Sequence, residues 1–444
     1  MTKWGHVSKQ SPRCPLLTLN LREIMFKNIY QGKRVLVTGH TGFKGSWLCI
    51  WLKELGAEVV GYSLDPPSEP NNFSACRLSE HIDHQHGDVR DHDRLISIFS
   101  HYKPEMVFHL AAQALVRSSY DDPKGTFDTN AGGTVNVLEA VRRTPDVRVV
   151  VNVTSDKCYE NREWVWGYHE NDPLGGHDPY SASKGCAELI FAAYLRSFFS
   201  QKKYGDIIPI SVLGKSGDTI SISGQSGDTI PISGEIGSCP QIAGPCPQIA
   251  SNSASGGRQI GAGSCRAGNA IGGGDWGRDR LIPDCVRALS SGRAIAIRNP
   301  RSVRPWQHVL ELLSGYLYLG ARLWEEPEEF SGAWNFGPGN TADLTVAEVV
   351  TRFIQAWGAG EWQDLSEPGA VHEAAVLRLC CDKAAARLGW RNALSMEQAI
   401  DLTAEWYKMF YSGASQEVLY HLCTKQIAKY VKTARERTLR WTEK

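Results

Sequence analysis

The stretch Arg34-Val-Leu-Val-Thr-Gly-His-Thr-Gly-Phe-Lys-Gly45 decides the fold class of this 444-residue chain. A short β-rich run ends in a glycine-rich turn, and a helical pattern follows at residues 46–55. At such a strand-to-helix junction the backbone N–H groups can approach a pyrophosphate closely. The spacing of Gly39, Gly42 and Gly45 therefore predicts a dinucleotide-binding turn.

The second strand-like run ends at Asp65, 20 residues after Gly45. A carboxylate there accepts hydrogen bonds from ribose hydroxyls and repels a 2′-phosphate, which favours NAD over NADP. The alternative is that Asp65 only caps the turn before Pro66 and Pro67. The other predicted cofactor-binding residues lie in the glycine turn or where strand-like runs end: Phe43, Asp88, Val89, Leu110, Ala111 and Ala112.

Short apolar runs alternate with helical patterns along the first 200 residues. We predict strands at 34–38, 58–64, 84–88, 106–111 and 147–154, and further helices at 91–102, 123–143 and 179–199. This alternation is typical of βαβ units with a parallel sheet. The predicted fold class is α/β: a Rossmann-type doubly wound parallel sheet with a smaller C-terminal substrate-binding α/β domain.

The amino-acid composition and the hydrophobic pattern of the sequence change at several boundaries. We predict an N-terminal extension at 1–26, an NAD-binding Rossmann domain at 27–200 that 265–279 continues, and a mainly substrate-binding domain at 280–444. Residues 201–264 carry near-identical units rich in glycine, serine and isoleucine, which predicts a low-complexity insert. The residues at 257–265 contain fewer β-branched side chains than a buried parallel strand usually has. We therefore expect a weak strand there, which β-branched residues would improve.

The segment Tyr180-Ser-Ala-Ser-Lys184 places a phenol and an ammonium group one helical turn apart. A nearby cation favours the phenolate, so Tyr180 is predicted to have a lowered pKa and to act as a general base on an alcohol. Asp156 and Lys157 follow a strand-like run and have opposite charges, which fits a proton donor and acceptor pair. The alternatives are an ordinary surface helix and a solvated strand end.

The composition gives no sign of a nucleic-acid or membrane partner, because Lys+Arg and Asp+Glu both total 48. The 12 cysteines form no CxxC motif and no Cys/His cluster at zinc spacing, so we expect reduced thiols, no metal and a cytoplasmic location. The N-terminus has no apolar run long enough for a signal peptide.

Six segments together carry a resemblance to a known family: residues 37–47, 109–116, 154–159, 266–269, 272–276 and 304–309. The chain resembles the extended short-chain dehydrogenase/reductase family, and within it the nucleotide-sugar 4,6-dehydratases that act on CDP-glucose. The resemblance covers about residues 27–200 and 265–430. It implies a homodimeric, NAD-dependent hydro-lyase that supplies deoxysugars for surface polysaccharide such as lipopolysaccharide O-antigen.

The resemblance also assigns roles by position. Tyr180 would be the base at the sugar 4-hydroxyl, Lys184 its helper and a ribose contact, and Ser155 the hydroxyl of the catalytic trio. Asp156 would protonate the departing 6-hydroxyl. Lys157 would either be a neutral base at C5 or a cation that stabilises the enolate. The residues that would bind substrate are Asn269, Arg280, Leu281, Arg298 and Arg304.

Two other functions stay open at this point. A nucleotide-sugar 4-epimerase shares the glycine turn, Tyr180 and Lys184, but it needs no elimination pair such as Asp156 and Lys157. A catalytically impaired NAD-binding homologue is the second alternative, because the insert precedes the strand that leads into Arg266.

Overall fold

The structure is a computed structural model that describes residues 25–200, 259–338, 344–366 and 377–443. The predicted extension and insert therefore lie outside the described residues, except for residues 25–26 and 259–264. No helix in the described ranges is long and apolar enough to cross a membrane.

The described residues form eleven strands and thirteen α-helices. The strands are β1 (Arg34–Thr38), β2 (Glu58–Ser63), β3 (Asp83–His86), β4 (Met106–His109), β5 (Val149–Val153), β6 (Gly261–Ala267), β7 (Ala270–Ile271), β8 (Ile295–Ile297), β9 (Gln307–His308), β10 (Gly332–Phe336) and β11 (Trp362–Asp364). The helices are α1 (Phe43–Glu54), α2 (Asn72–Ala75), α3 (His92–Tyr102), α4 (Val116–Asp121), α5 (Pro123–Phe127), α6 (Gly133–Arg143), α7 (Pro179–Tyr194), α8 (Leu281–Ser290), α9 (Val309–Glu325), α10 (Pro327–Phe330), α11 (Val346–Trp357), α12 (Met396–Tyr411) and α13 (Gln416–Glu436).

Seven parallel strands form the central sheet in the order β10-β6-β5-β4-β1-β2-β3. Thr38 at the end of β1 lies opposite Tyr62 of β2 and His109 of β4. The strand order reverses between β1 and β4, and open α/β sheets bind ligands in the crevice at such a reversal. The predicted doubly wound Rossmann-type fold is confirmed.

Helices cover both faces of this sheet, so its central strands β1, β4, β5 and β6 are buried on both sides. On one face α1 packs against α9 and α13, and residues 45–52 of α1 are all buried. On the other face α3, α6 and α7 enclose a second apolar cluster that includes Phe99, Val137 and Phe191. Two small parallel sheets, β7 with β9 and β8 with β11, lie in the C-terminal part of the chain.

The strand β6 corrects the expectation of weak packing before Arg266. All seven of its residues are buried, and it pairs with both β5 and β10. A Cβ atom on Gly261 would lie 2.5 Å from the carbonyl oxygen of Leu323, and one on Gly263 would lie 2.7 Å from Cδ2 of Leu319. Because the glycines let α9 pack directly on this strand, the expectation that β-branched residues would improve it is wrong.

We expect Gly263→Val to destabilise the protein by about 1–3 kcal/mol, because the added methyl groups overlap Leu319. Adding Leu319→Ala should relieve part of that overlap. Chemical denaturation of the wild type, both single variants and the double variant measures the coupling energy. Strictly additive effects would show that Leu319 does not limit the size of residue 263.

Candidate active site

The glycine turn connects β1 to α1 with very close backbone packing. A Cβ atom on Gly39 would lie 2.6 Å from the backbone nitrogen of Ala111, and one on Gly45 would lie 2.2 Å from the carbonyl oxygen of Gly39. Gly42 is the N-cap of α1 and makes no side-chain capping hydrogen bond. The N–H groups of the first turn of α1 can therefore bind an anion, which fits the pyrophosphate of a dinucleotide.

The ends of β2 and β3 carry the polar residues predicted for the ribose and base. The side chain of Asp65 is 89% exposed, and its Oδ1 lies 3.7 Å from Nε2 of His86. The carboxylate of Asp88 accepts hydrogen bonds from Arg90, which lower the pKa of Asp88 although burial acts to raise it. Val89 is buried. The exposed carboxylate of Asp65 is accessible to a ribose 2′-hydroxyl, whereas the carboxylate of Asp88 already accepts hydrogen bonds from Arg90.

The small residues after β4 complete the other wall of the crevice. The backbone nitrogen of Leu110 donates to the carbonyl oxygen of Thr38 at 3.1 Å, and that of Ala111 donates to the Thr38 hydroxyl at 3.2 Å. Ala111 and Ala112 are only partly buried. These contacts hold the segment against β1 and leave room beside the glycine turn.

Tyr180 and Lys184 lie in the first turns of α7, where Asp178 caps the helix by accepting from the backbone nitrogen of Ser181. Both side chains are buried, with 7% and 5% of their surface exposed. Burial, assisted by the charge of Lys44, lowers the pKa of Lys184 to about 8. The pair therefore sits in the low-dielectric interior beside the glycine turn.

Burial raises the pKa of Tyr180 to about 12, which corrects the expectation that its pKa is lowered. A hydrogen bond with Ser155 and the charge of Arg280 act in the opposite direction, but they are smaller than the effect of burial. The expectation was wrong because helical spacing shows that a cation is near but not how much water the phenol loses.

Asp156 begins a short 3₁₀ helix directly after β5, and Ser155 is its N-cap. The Ser155 hydroxyl donates to Oδ1 of Asp156 at 2.9 Å, and both residues are buried. Burial raises the pKa of Asp156, although the charges of Lys157 and Lys44 oppose this. The structure thus brings a carboxyl group with a raised pKa close to the phenol of Tyr180.

Three of the predicted substrate residues, Arg280, Leu281 and Arg298, lie in or beside α8 and the strand that follows it. Arg280 is the N-cap residue of α8, directly before Leu281, and its guanidinium lies 2.8 Å from Asp275. Arg298 lies 3.5 Å from Asp279, which also binds Arg117 of α4 at 2.8 Å.

The other two predicted substrate residues contact the backbone. Asn269 accepts from the backbone nitrogen of Gln307 through its own carbonyl oxygen, and Arg304 donates to the carbonyl oxygen of Val303 at 3.1 Å. The charge of Arg280 acts on Tyr180 and lowers its pKa, against the larger effect of burial.

Lys44 is a charged residue of the site that the sequence analysis left out. It lies half-buried in the first turn of α1, and its charge acts on both Asp156 and Lys184. Burial and the charge of Arg280 lower the pKa of Lys44 to about 8. The signal was present in the sequence, because Lys44 is the single charged residue between Gly39 and Gly45.

Comparison with known proteins places the chain in a family. The family model for GDP-mannose 4,6 dehydratase matches residues 36–201. A CDP-glucose 4,6-dehydratase from Salmonella typhimurium is 43% identical over 406 residues, which cover 91% of this chain and 98% of the relative. The chain belongs to the CDP-glucose 4,6-dehydratase family. A UDP-glucose 4-epimerase from Mycolicibacterium smegmatis is 32% identical but covers only 42% of this chain and 58% of the epimerase.

Solved structures show the same fold as this member of the dehydratase family. The dTDP-glucose 4,6-dehydratase from Bacillus anthracis, in complex with NAD, has a TM-score of 0.60 at 19% identity and covers 85% of this chain and 97% of its own. The UDP-glucose 4-epimerase from Thermotoga maritima, with UDP-glucose, has a TM-score of 0.61 at 20% identity and covers 85% of this chain and 99% of its own. Because dehydratases and epimerases share this architecture, the fold alone does not separate the two activities.

We expect Lys44→Met to raise the pKa of Lys184 from about 8 towards 10.5, because it removes a neighbouring positive charge. NMR titration of side-chain-labelled lysines would follow Lys184 directly. Lys432→Met, at an exposed position in α13, is the matched control and should leave that titration unchanged. An unaltered Lys184 titration in Lys44→Met would mean that the two cations do not interact.

Proposed function

We propose that this protein dehydrates CDP-glucose to CDP-4-keto-6-deoxyglucose, with NAD as a recycled cofactor. The observation that carries the proposal is the buried carboxyl group of Asp156 beside Tyr180 and Lys184. An epimerase needs only the phenol and the lysine, whereas a dehydratase also needs an acid for the leaving hydroxyl. The near full-length identity to a CDP-glucose 4,6-dehydratase supports the same reaction and substrate.

The first half of the proposed reaction is oxidation at C4 of the glucose. NAD, when bound, supplies the hydride acceptor for this step and the hydride donor for the return to C6. Tyr180 takes the proton of the 4-hydroxyl. Since its pKa is raised to about 12, the phenolate needs nearby positive charge, and Arg280 lowers that pKa. Lys184, one helical turn along α7, would add to this charge when protonated and would contact the cofactor ribose.

The second half is elimination of water across C5 and C6. A ketone at C4 makes the C5 proton acidic, so a modest base is sufficient to take it, and a nearby cation would stabilise the enolate that forms. Asp156 donates a proton to the departing 6-hydroxyl, and the raised pKa of Asp156 supports this role. Lys157 is half-buried next to Asp156 and either takes the C5 proton as a neutral amine or, as a cation, stabilises the enolate while a water molecule takes that proton.

The cofactor and the substrate would bind on opposite sides of the reacting carbon. Residues 27–200 with 265–279 would hold NAD through the glycine turn, Asp65 and the segment after β4. Residues 280–444 would mainly hold the nucleotide sugar. Its diphosphate would bind Arg280, Arg298 and Arg304, because one guanidinium group can donate two parallel hydrogen bonds to phosphate oxygens. Asn269 and Leu281 would contact the same ligand.

We further propose a homodimer that pairs through the helix carrying Tyr180. Leu189 of α7 and Val135 of α6 are large apolar residues with 59% and 36% of their surface exposed, which supports a helix-to-helix interface. A cytoplasmic location follows from the nucleotide-linked substrate. The product would serve deoxysugar synthesis for surface polysaccharide such as lipopolysaccharide O-antigen.

Incubation of the purified protein with CDP-glucose tests the function directly. We expect a product that has lost one water, detected by mass spectrometry and by the absorbance that 4-keto sugars develop in base. UDP-glucose and dTDP-glucose at the same concentration test which nucleotide base of the substrate the enzyme accepts. A product of unchanged mass would instead show epimerisation, and no product with any of the three would refute the proposal.

Tyr180→Phe and Asp156→Asn should give opposite signatures. Each should lower turnover by about 10²–10⁴-fold, because each removes one acid or base group. Tyr180→Phe blocks oxidation, so no reduced nicotinamide should appear. Asp156→Asn leaves the oxidation residues in place, so absorbance at the wavelength of reduced nicotinamide should accumulate on the enzyme. Equal accumulation in both variants, or normal dehydration by either, would contradict the assigned roles.

A further inference from the structure

We infer that the buried ion pair between Glu188 and Arg266 positions two groups of residues relative to each other. These are the elimination residues, Asp156 and Lys157, and the oxidation residues, Tyr180 and Lys184. The inference rests on the proposed function and adds a positioning device to it. Neither residue belongs to the reacting groups named above. Both are almost fully buried, with 1% and 4% of their side chains exposed.

Glu188 lies on α7, one helical turn beyond Lys184 and two turns beyond Tyr180. Its Oε2 accepts from Nη2 of Arg266 at 2.9 Å. Its Oε1 accepts from the hydroxyl of Ser264 at 2.7 Å and from the hydroxyl of Thr154. The helix of the oxidation residues is therefore tied to Thr154, the residue directly before Ser155.

Arg266, on β6, holds the other end of the same segment. Its Nη1 donates to the Tyr159 hydroxyl at 2.8 Å, and its guanidinium lies 4.9 Å from the centre of the Tyr159 ring. Tyr159 in turn donates to Oδ1 of Asn335 in β10 at 2.7 Å. Burial acts to lower the pKa of Arg266, but the charge of Glu188, its hydrogen bond and the neighbouring Cys158 and Tyr159 together outweigh burial, and the pKa is raised.

Thr154 and Tyr159 enclose the segment that carries Ser155, Asp156 and Lys157. Both ends of this segment are thus bound to one ion pair, whose carboxylate belongs to the helix of Tyr180. A displacement of α7 relative to the end of β5 would have to break the hydrogen bond between Glu188 and Thr154 and the ion pair that links Glu188 to Arg266. Reaction rates are sensitive to such displacements, since a misplacement of about 1 Å can cost about 10²-fold.

A role in stability alone does not account for this arrangement. Burying two charges carries a large desolvation cost, and apolar residues of the same volume often stabilise a protein as well or better. The side-chain partners of Glu188 and Arg266 outside their own pair are Thr154, Ser264 and Tyr159. Two of these three flank the elimination segment, which is what a positioning role requires.

The test compares Glu188→Gln with the wild type on CDP-glucose. The variant keeps the side-chain volume but removes the charge that holds Arg266. We expect the rate of dehydration to fall by about 10²-fold, with less change in KM, and reduced nicotinamide to accumulate because oxidation outpaces elimination. Hydrogen exchange measured by mass spectrometry should become faster in peptides that cover 154–159.

Thr154→Val and Tyr159→Phe are milder variants that each remove one tie while leaving the ion pair in place. Both variants should slow elimination relative to oxidation, as Glu188→Gln does, but by a smaller factor. Glu311→Gln is the matched control, because Glu311 is also a buried helical glutamate, on α9, that accepts from the backbone of Ala393 and Leu394 and from Tyr430. It should change stability without accumulation of reduced nicotinamide.

The outcomes separate the inference from the proposed function. The inference is overturned if Glu188→Gln slows oxidation and elimination equally, or if Glu311→Gln gives the same accumulation. Should Glu188→Gln fail to fold, absence of accumulation in both Thr154→Val and Tyr159→Phe overturns it. If the wild type does not convert CDP-glucose, the proposed function fails. Hydrogen exchange then decides the positioning role, since unchanged exchange at 154–159 in the Glu188 and Thr154 variants would refute it.

Discussion

The architecture of the site depends on how closely the backbone of the glycine turn approaches its neighbours. At Gly39 the turn lies against Ala111, with no space for a side chain, and Gly45 lies equally close to Gly39. This contact fixes the N-terminus of α1 beside the end of β4, at the point where the strand order of the sheet reverses. A side chain at either position would separate α1 from the sheet and remove the anion-binding end of the helix from the crevice. Each later feature, including the position of Lys44, follows from that placement.

Burial sets the protonation of the reacting groups more strongly than neighbouring charge does. It raises the pKa of Asp156 and that of Tyr180, and it lowers the pKa of Lys184. Each shift favours the neutral form, so the site is built to exchange protons at modest cost once a substrate excludes water. Charged side chains act on these groups at specific places. Lys44 and Arg280 do so within the site, and the Glu188–Arg266 pair lies behind it. The two kinds of group have different proposed tasks: Tyr180 and Asp156 move protons, and the charged side chains around them bias or hold these two residues.

The first half of the fold could be predicted from the sequence because its strands and helices have strong local patterns, and β1 occupies the predicted residues. The helix α9 was missed because nearly every residue from Val309 to Ala321 is buried, so no polar stripe marks its period. The strand β6 was judged too weak because its glycines are explained by Leu319 and Leu323 of that missed helix. Candidate site residues were found where they form contiguous motifs, such as Tyr180 with Lys184, and their roles stay predictions. The Glu188–Arg266 contact joins residues 78 positions apart, and no local sequence pattern predicts it.

The central claim is that oxidation and elimination occur in one site with a recycled cofactor. Turnover of CDP-glucose carrying deuterium at C4 tests this claim most directly, with the position of the label in the product read by NMR. We expect the deuterium to move to C6 of the 4-keto-6-deoxy product without consumption of added reduced cofactor. Hydrogen from solvent at C6 in place of the label, or deuterium that returns to C4 of a product with unchanged mass, would contradict it.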